Sequence, residues 1–293
     1  GSVISRIMGS REDLRKFGKM IAPLVAKSVA DANSLADSAG LEAIEEILQK
    51  EAPELLEKKV RERREGLPEL PNSQGIKPVL RFAPNPNGPL SFGHSRGLVI
   101  NGEYAKNLGG ELILRFDDTD TTVKPPMIEA YESIPVQQEW LCGFPANRIV
   151  IASERMEHYH SYAKQILEKG FGYVCTCSGE EFKEFRISKT ECPCRGNSVE
   201  ANINLWEKMN DVNGFLPGEA VLRVKTDMTL KNPALRDWPA ARIQTNPHPR
   251  VGTKWRVWPL LDFQSAIEDY LQGVTHIIRG KDLMDSTRKQ TLL

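Results

Sequence analysis

Two Cys-x-Cys pairs, Cys175-Thr176-Cys177 and Cys192-Pro193-Cys194, stand 14 residues apart. Four thiolates complete a tetrahedral structural zinc site, and a small insert with few strands needs such a staple. Buried or free thiols are the alternative reading. Cys142 stands apart from the four and reads as an ordinary apolar residue. A second set is Asp117, Asp118 and Asp120, at the end of an apolar run. Two chemistries suit it: a divalent cation, or one carboxylate accepting a substrate ammonium while Asp118 and Thr119 cap a turn. A third is the loop from Arg81 to His94, rich in Pro, Asn and Gly. Its Gly93 lets backbone approach an anion closely, and His94 offers a donor to phosphate oxygens or simply starts a helix. The loop is neither a G-x-x-x-x-G-K-[ST] nor a G-x-G-x-x-G sequence, so the common NTPase and dinucleotide readings fail. Lys58, Lys59, Arg61, Arg63 and Arg64 form a basic run; a solvated helix face with Glu–Arg pairs or contact with a nucleic-acid backbone accounts for it. Trp255 and Trp258 read as core, His276 as structural, and His158, His160 and His248 have no evident partners.

These residues have to be held by elements that the pattern of apolar residues predicts. Residues 3 to about 70 hold no strand; Leu41, Ile44 and Leu48 recur at helical spacing, and Leu55, Leu56 and Val60 continue it after Pro53. Leu67 to Gly75 reads as a linker. From Val79 the order is strand (79–82), loop, helix (93 to about 108), strand (111–116), helix (127–141), strand (149–151) and helix (156–168). That alternation predicts a parallel α/β sheet, with ligands beyond the carboxyl ends of its strands. From Cys175 to about Arg250 the alternation breaks into turns and short strands such as 221–224. It then resumes with a strand over Trp255–Leu260, a helix over Phe263–Leu271 and a strand over Val274–Ile278. A sheet interrupted in this way predicts an inserted domain.

The 293 residues carry 39 Lys and Arg against 39 Asp and Glu, which argues against whole-surface attraction to nucleic acid or anionic lipid but allows a local basic face. Residues 1–77 and 78–293 are each balanced. No apolar run approaches the roughly 20 residues of a membrane span, and no signal-peptide pattern opens the chain. With five cysteines this points to a reducing, cytoplasmic compartment. Gly1-Ser2 reads as the remnant of a cleaved tag.

Ser91-Phe92-Gly93-His94, preceded by Arg81-Phe82-Ala83-Pro84-Asn85-Pro86-Asn87-Gly88, resembles the "HIGH" signature loop of class I aminoacyl-tRNA synthetases in its glutamyl/glutaminyl form. Leu114-Arg115-Phe116-Asp117-Asp118-Thr119-Asp120 and Asp262-Phe263 followed by Gly273-Val274-Thr275-His276-Ile277-Ile278-Arg279-Gly280 resemble two further blocks, in the right order over about residues 79–285. The resemblance implies an α/β fold with a Rossmann-like parallel sheet, an inserted zinc-containing α+β module and an N-terminal helical extension. The implied boundaries are 3–76 for the extension, 77–174 and 251–293 for the two parts of the catalytic domain, and 175–250 for the acceptor-binding insert. It implies ATP, with Mg2+, at Pro84, Asn85, Pro86, Gly88, Ser91, Gly93 and His94, of which Ser91, Gly93 and His94 serve catalysis. It implies glutamate at Arg81, Asp117, Asp262 and Arg279, and structural Zn2+ at Cys175, Cys177, Cys192 and Cys194.

By the same resemblance Arg279 reads the substrate side chain. A guanidinium fork matches a carboxylate and pays a desolvation penalty against an amide, so Arg279 argues for glutamate over glutamine. Two departures stand out: Ser91 replaces the family's first signature histidine, and Leu261 stands where glutaminyl relatives have tyrosine. Arg186-Ile187-Ser188-Lys189-Thr190 resembles the second signature, Lys-Met-Ser-Lys-Ser, but lies between the cysteines and is rejected. The chain thus reads as about half of a longer enzyme, of the archaeal/eukaryotic branch, that joins L-glutamate to tRNA(Glu) through a glutamyl-adenylate. Charging of tRNA(Gln) is left open. A monomer without a membrane partner is expected, with Arg186, Lys189, Arg195 or the 58–64 run meeting tRNA. The rival readings are a glutaminyl enzyme of the same fold and a non-catalytic tRNA-binding fragment or scaffold.

Overall fold

The computed structural model describes residues 2–56 and 65–293, so the basic run at 58–64 lies outside the described residues. The chain forms two compact units, Gly1–Leu67 and Pro68–Leu293. The first contains α1 (Ser2–Ser10), a 3-10 turn (Glu12–Phe17), α2 (Gly18–Glu51) and a second turn (Pro53–Leu55). Leu41, Ile44 and Leu48 lie on α2 as their spacing predicts. None of its residues is buried, however, and Gly40, at φ 81°, interrupts its helical backbone. Glycine reaches that conformation without the strain a side chain would bring.

The second unit begins earlier than the predicted linker implies. Leu70 packs on the core, Pro68 O accepts from the Tyr104 hydroxyl at 2.7 Å, and Pro71 O lies 3.0 Å from His276 Nε2. The stretch from 68 to 76, expected to close the N-terminal extension, therefore belongs to the following unit. Its strands and helices then alternate: β1 (Val79–Phe82), α3 (Phe92–Asn107), β2 (Glu111–Phe116), α4 (Ile128–Cys142), β3 (Arg148–Ile151) and α5 (Met156–Glu168). The three strands pair in parallel in the order β1-β2-β3, with Phe82 opposite Leu114 and Phe116 opposite Ile151. β2 is central and buried from Leu112 onward, which is why it reads as a continuous apolar run. Gly110 leads into it where a Cβ would come within 2.1 Å of Pro78 O, and Glu111 N–H donates to that oxygen at 2.8 Å.

An antiparallel sheet follows, from β4 (Gly172–Cys175), with α6 (Gly179–Ser188) and α7 (Val199–Asn210) between it and β5 (Val221–Val224), then β6 (Pro239–Ile243) and β7 (Val257–Pro259). This corrects two expectations. The strand within Trp255–Leu260 pairs with β6, not with the parallel sheet, so the antiparallel layer runs from 172 to 259 and exceeds the expected 175–250. An apolar run states that a strand is buried but not which partner buries it. After α8 (Leu261–Leu271), the segment 274–278 is not a strand: Thr275 exchanges backbone and side-chain hydrogen bonds with Val79 and then leaves β1. The last helix is α9 (Met284–Leu292). No described helix is long and apolar enough to cross a membrane.

Candidate active site and cysteine centre

The signature loop leaves the carboxyl end of β1 and is held at three points. Pro84 O accepts from Asp117 N–H at 3.0 Å, Pro86 O from Met127 N–H at 2.8 Å, and Leu90 N–H donates to Gln137 Oε1 at 2.8 Å. Pro84 and Pro86 are buried, so what they contribute to the loop is its shape. Ser91 is the N-cap of α3. Its N–H donates to His94 Nδ1 at 3.0 Å, and its hydroxyl lies 3.1 Å from the same nitrogen. An Nδ1 that accepts leaves the proton on Nε2, so the backbone N–H of residue 91, which a histidine there would supply equally, favours the tautomer in which exposed His94 presents an Nε2–H. A Cβ on Gly93 would meet only Ser91 Oγ, at 3.6 Å. Packing does not demand glycine there, and open space for a ligand beside the first-turn N–H groups is what its absent side chain provides.

Beneath the loop lies a buried charge network. Arg81 Nε donates to Asp269 Oδ1 at 3.1 Å, and Arg115 Nη1 reaches the same oxygen at 2.7 Å. Arg115, wholly buried on β2, also donates to Asp117 Oδ1 at 2.9 Å and to Ser265 Oγ at 3.2 Å. Gln264 Nε2 donates to Asp117 Oδ1 at 2.5 Å, and Gln264 Oε1 accepts from the Thr119 hydroxyl. Burial pushes the Asp117 carboxyl above its ordinary range against the pull of Arg115 and Arg81. Burial acts the same way on Asp269, but there Arg115 and Arg81 prevail and hold the carboxyl low. A cavity of about 320 Å³ opens above this network, lined by Asn85, Asp117, Thr119, Gln244, Leu261 and Gln264 among others. Asn85 Oδ1 is buried without a partner.

Arg115, Asp269, Ser265 and Gln264 went unassigned in the sequence. Arg115 left a signal, a guanidinium inside the otherwise apolar β2. The other three lie on α8, about 150 residues from their partners, and left none.

Arg279 and Asp262, expected to touch glutamate, both meet α9. Arg279 Nε donates to Thr287 Oγ1 at 3.1 Å and its Nη2 to Gln290 Oε1, while Asp262 Oδ2 accepts from Lys289 Nζ at 2.6 Å. Asp262 Oδ1 is buried without a partner. Burial, and then the like charge of Arg81, lower the Arg279 pKa. Arg81, Asp262, Asp269 and Arg279 are therefore in one electrostatic neighbourhood.

The four clustered cysteines are reduced, and their sulfurs all lie within 4.8 Å of one another. Cys175 and Cys192 Sγ are 3.9 Å apart and Cys177 and Cys194 Sγ 3.7 Å. A tetrahedron with metal–sulfur bonds near 2.3 Å has edges of about 3.8 Å, so the donor set and its spacing fit zinc. Thr176 N–H points at Cys194 Sγ from 3.5 Å, as an outer hydrogen bond to a thiolate would. A Ser178–Glu181 capping box starts α6 immediately after the first pair.

Residues 77–293 match the family of tRNA synthetases class I (E and Q), catalytic domain. The chain belongs to this family. Its similarity extends over the N-terminal unit as well: it is 48% identical to a glutamate–tRNA ligase of Methanothrix thermoacetophila over 296 residues, covering 100% of this chain and 51% of that one. It is 47% identical to one of Archaeoglobus fulgidus over 290 residues, covering 99% and 51%. The chain thus spans about half the length of these relatives. A crystal structure of a glutamate tRNA ligase from Elizabethkingia meningosepticum in complex with its amino acid shares the fold, at a TM-score of 0.54 and 23% identity over 74% of this chain and 46% of that one.

Among the family's remaining motif residues, Asp118 does not cap a turn as expected. Its carboxylate accepts from Ser153 N–H, Ser153 Oγ and Tyr131 OH, and its carbonyl lies 2.9 Å from His248 Nε2. The turn-capping carboxylate is Asp120, which accepts from Thr122 and Val123 N–H. Buried His248 stacks on Trp258, and His160 packs between Trp206 and Trp255, which gives two unassigned histidines structural partners. Trp258 is fully buried, and Cys142 packs in the core under α3. Arg195 is not available to RNA in the way expected. It is bound to Glu191, Asp237 and Thr226 O, because its position above the buried Asp237 supplies those acceptors. Arg186 and exposed Lys189 stand at the C-terminal end of α6, on the antiparallel layer and between the cysteine pairs.

Proposed function

We propose that this chain is the catalytic half of an enzyme that joins L-glutamate to the 3' end of tRNA(Glu), using ATP. The observation that carries the choice of amino acid is Arg279. It is half-buried, sits in the field of Arg81, and is held by two neutral oxygens, with no ion pair to a carboxylate among the described residues. A guanidinium in that state lacks an anion, and a substrate carboxylate supplies one while a substrate amide does not. Arg81, buried and paired with Asp269, adds its positive field to that of Arg279.

Asp117 is the group proposed for the α-ammonium, with Asn85 and the rest of the cavity above it for the adjoining atoms of the substrate. The triphosphate belongs at the start of α3, where Gly93 leaves room and His94 donates from Nε2. Pro84, Pro86 and Gly88 shape the approach. Mg2+ would enter with the triphosphate. The four cysteines would hold zinc, which supplies a structural crosslink in the antiparallel layer. Arg186 and Lys189 are the proposed contacts with the tRNA backbone. In the reaction the glutamate α-carboxylate attacks the α-phosphorus of ATP and pyrophosphate leaves; a ribose hydroxyl of the terminal adenosine then attacks the carbonyl of the glutamyl-adenylate, the acyl–phosphate bond breaks and AMP leaves. Neither step demands a dedicated protein base; positioning and stabilisation of phosphate charge are what these residues provide.

The test is ATP-dependent charging of tRNA by the longer protein of which this chain is read as half, with glutamate and glutamine compared. Glutamate is expected to be the preferred substrate, with charging lost in His94→Ala and Arg279→Gln. Preference for glutamine, or no charging with either amino acid, would sink the assignment.

A further inference from the structure

Three residues of α9, Thr287, Lys289 and Gln290, hold Arg279 and Asp262, two of the residues assigned to the amino-acid site, and the motif blocks do not include them. Thr287 and Gln290 accept from Arg279 through neutral oxygens. Lys289, between them in sequence, takes the carboxylate of Asp262 at 2.6 Å, with both side chains largely shielded from solvent. Asp262 and Asp269 are the carboxylates whose fields reach Arg279, and each is already spoken for, the first by Lys289 and the second by Arg81 and Arg115.

We propose that α9 sets amino-acid specificity: Thr287 and Gln290 aim the Arg279 guanidinium without neutralising it, while Lys289 neutralises Asp262. The positive charge at the site is then available to an acidic side chain. This rests on the reading of Arg279 as the residue that meets the substrate side chain. The physical point is that a guanidinium can be oriented equally well by an amide oxygen or by a carboxylate, but only the amide leaves its charge unspent. A carboxylate at position 290 would have the same length and would compete with the substrate for the same fork. An uncompensated Asp262 would act in the same direction from further away. Thr287, Lys289 and Gln290 are thus positioning residues, and the quantity they control is the ratio of affinities for glutamate and glutamine.

The experiment titrates L-glutamate and L-glutamine into this 293-residue chain by calorimetry, for the wild type and for Gln290→Glu, Gln290→Ala and Lys289→Met, with thermal melts to verify folding. Wild type is expected to prefer glutamate. Gln290→Glu should weaken glutamate about tenfold or more, the size of a lost charge-assisted hydrogen bond, and leave glutamine nearly unchanged. Gln290→Ala should cost glutamate less than Gln290→Glu does, and Lys289→Met should lower the same ratio. A folded Gln290→Glu chain that keeps the wild-type preference, or equal losses in Gln290→Glu and Gln290→Ala, would overturn the inference and leave the assignment of glutamate standing. A wild-type chain with no preference between the two amino acids would overturn both.

Discussion

Asp269 accepts from two buried guanidiniums at once, Arg81 and Arg115, and Arg115 has no water to turn to if that acceptor is lost. Removing one member of a buried ion pair strands the others, so Asp269→Asn is expected to destabilise the chain by about 3–5 kcal/mol in urea denaturation at neutral pH. The effect has a pH signature. The folded Asp269 carboxyl titrates below its unfolded value, so its contribution is full above the unfolded pKa of about 3.9 and is lost as pH falls through the folded one. The gap between variant and wild type should therefore narrow below about pH 4. Asp117 is present in both proteins and acts oppositely: its raised pKa makes ionisation cost stability as pH rises past the unfolded value. A gap that widened on acidification would show that Asp269 is not the anionic partner. At this scale the sequence was informative where chemistry is local. Ser91 and His94 are three residues apart and bond each other at the start of a helix. Arg115 with Asp269, 154 residues apart, was invisible.

At the scale of elements, the two cysteine pairs are carried by quite different pieces of backbone. Cys175 ends β4, and the 3-10 turn Pro193–Gly196 carries Cys194 just after Cys192. Their sulfurs nevertheless converge to the spacing of a tetrahedral site. The purified chain is expected to carry about one zinc per molecule by atomic absorption, and Cys192→Ser to lose it with a lower melting temperature. Metal-free protein with all four thiols reduced would defeat the zinc proposal. Helices and strands before Cys175 were readable because their apolar residues repeat with the period of the element, and α5 spans Met156–Glu168 as the pattern predicts. Pairing was not readable in the same way. Trp255–Leu260 has the composition of a buried strand in any sheet, and only its hydrogen bonds to β6 assign it to the antiparallel layer. Residues 274–278 have a strand's composition too, but Thr275 spends its side chain on Val79 N–H and no ladder follows.

Across the whole molecule the two units differ in how they are stabilised. The Pro68–Leu293 unit has several hydrophobic clusters, with Leu80 and Leu112 fully buried in one and Leu222 in another, whereas α2 buries none of its residues. Opening free energies should follow: amide hydrogen exchange along α2 is expected to be fast, near the fraying limit, and exchange in β2 slowed towards the global unfolding limit. Equal protection in both would contradict this division. The balance of 39 basic against 39 acidic residues also acquires a structural meaning. Many of the arginines are consumed inside the fold, among them Arg81, Arg115, Arg195 and Arg236, so a surface for RNA must be a patch and not a field. The residue order alone determined the family, the alternating elements, a helix beginning near Gly93 and the four-cysteine set, since each is written in short-range spacing. The tertiary structure decided which sheet each late strand joins, which carboxylates are already paired, and that Arg279 is held by neutral oxygens. Those outcomes depend on partners far apart in the chain, and burial and pairing energies choose among partners only once the chain has closed on itself.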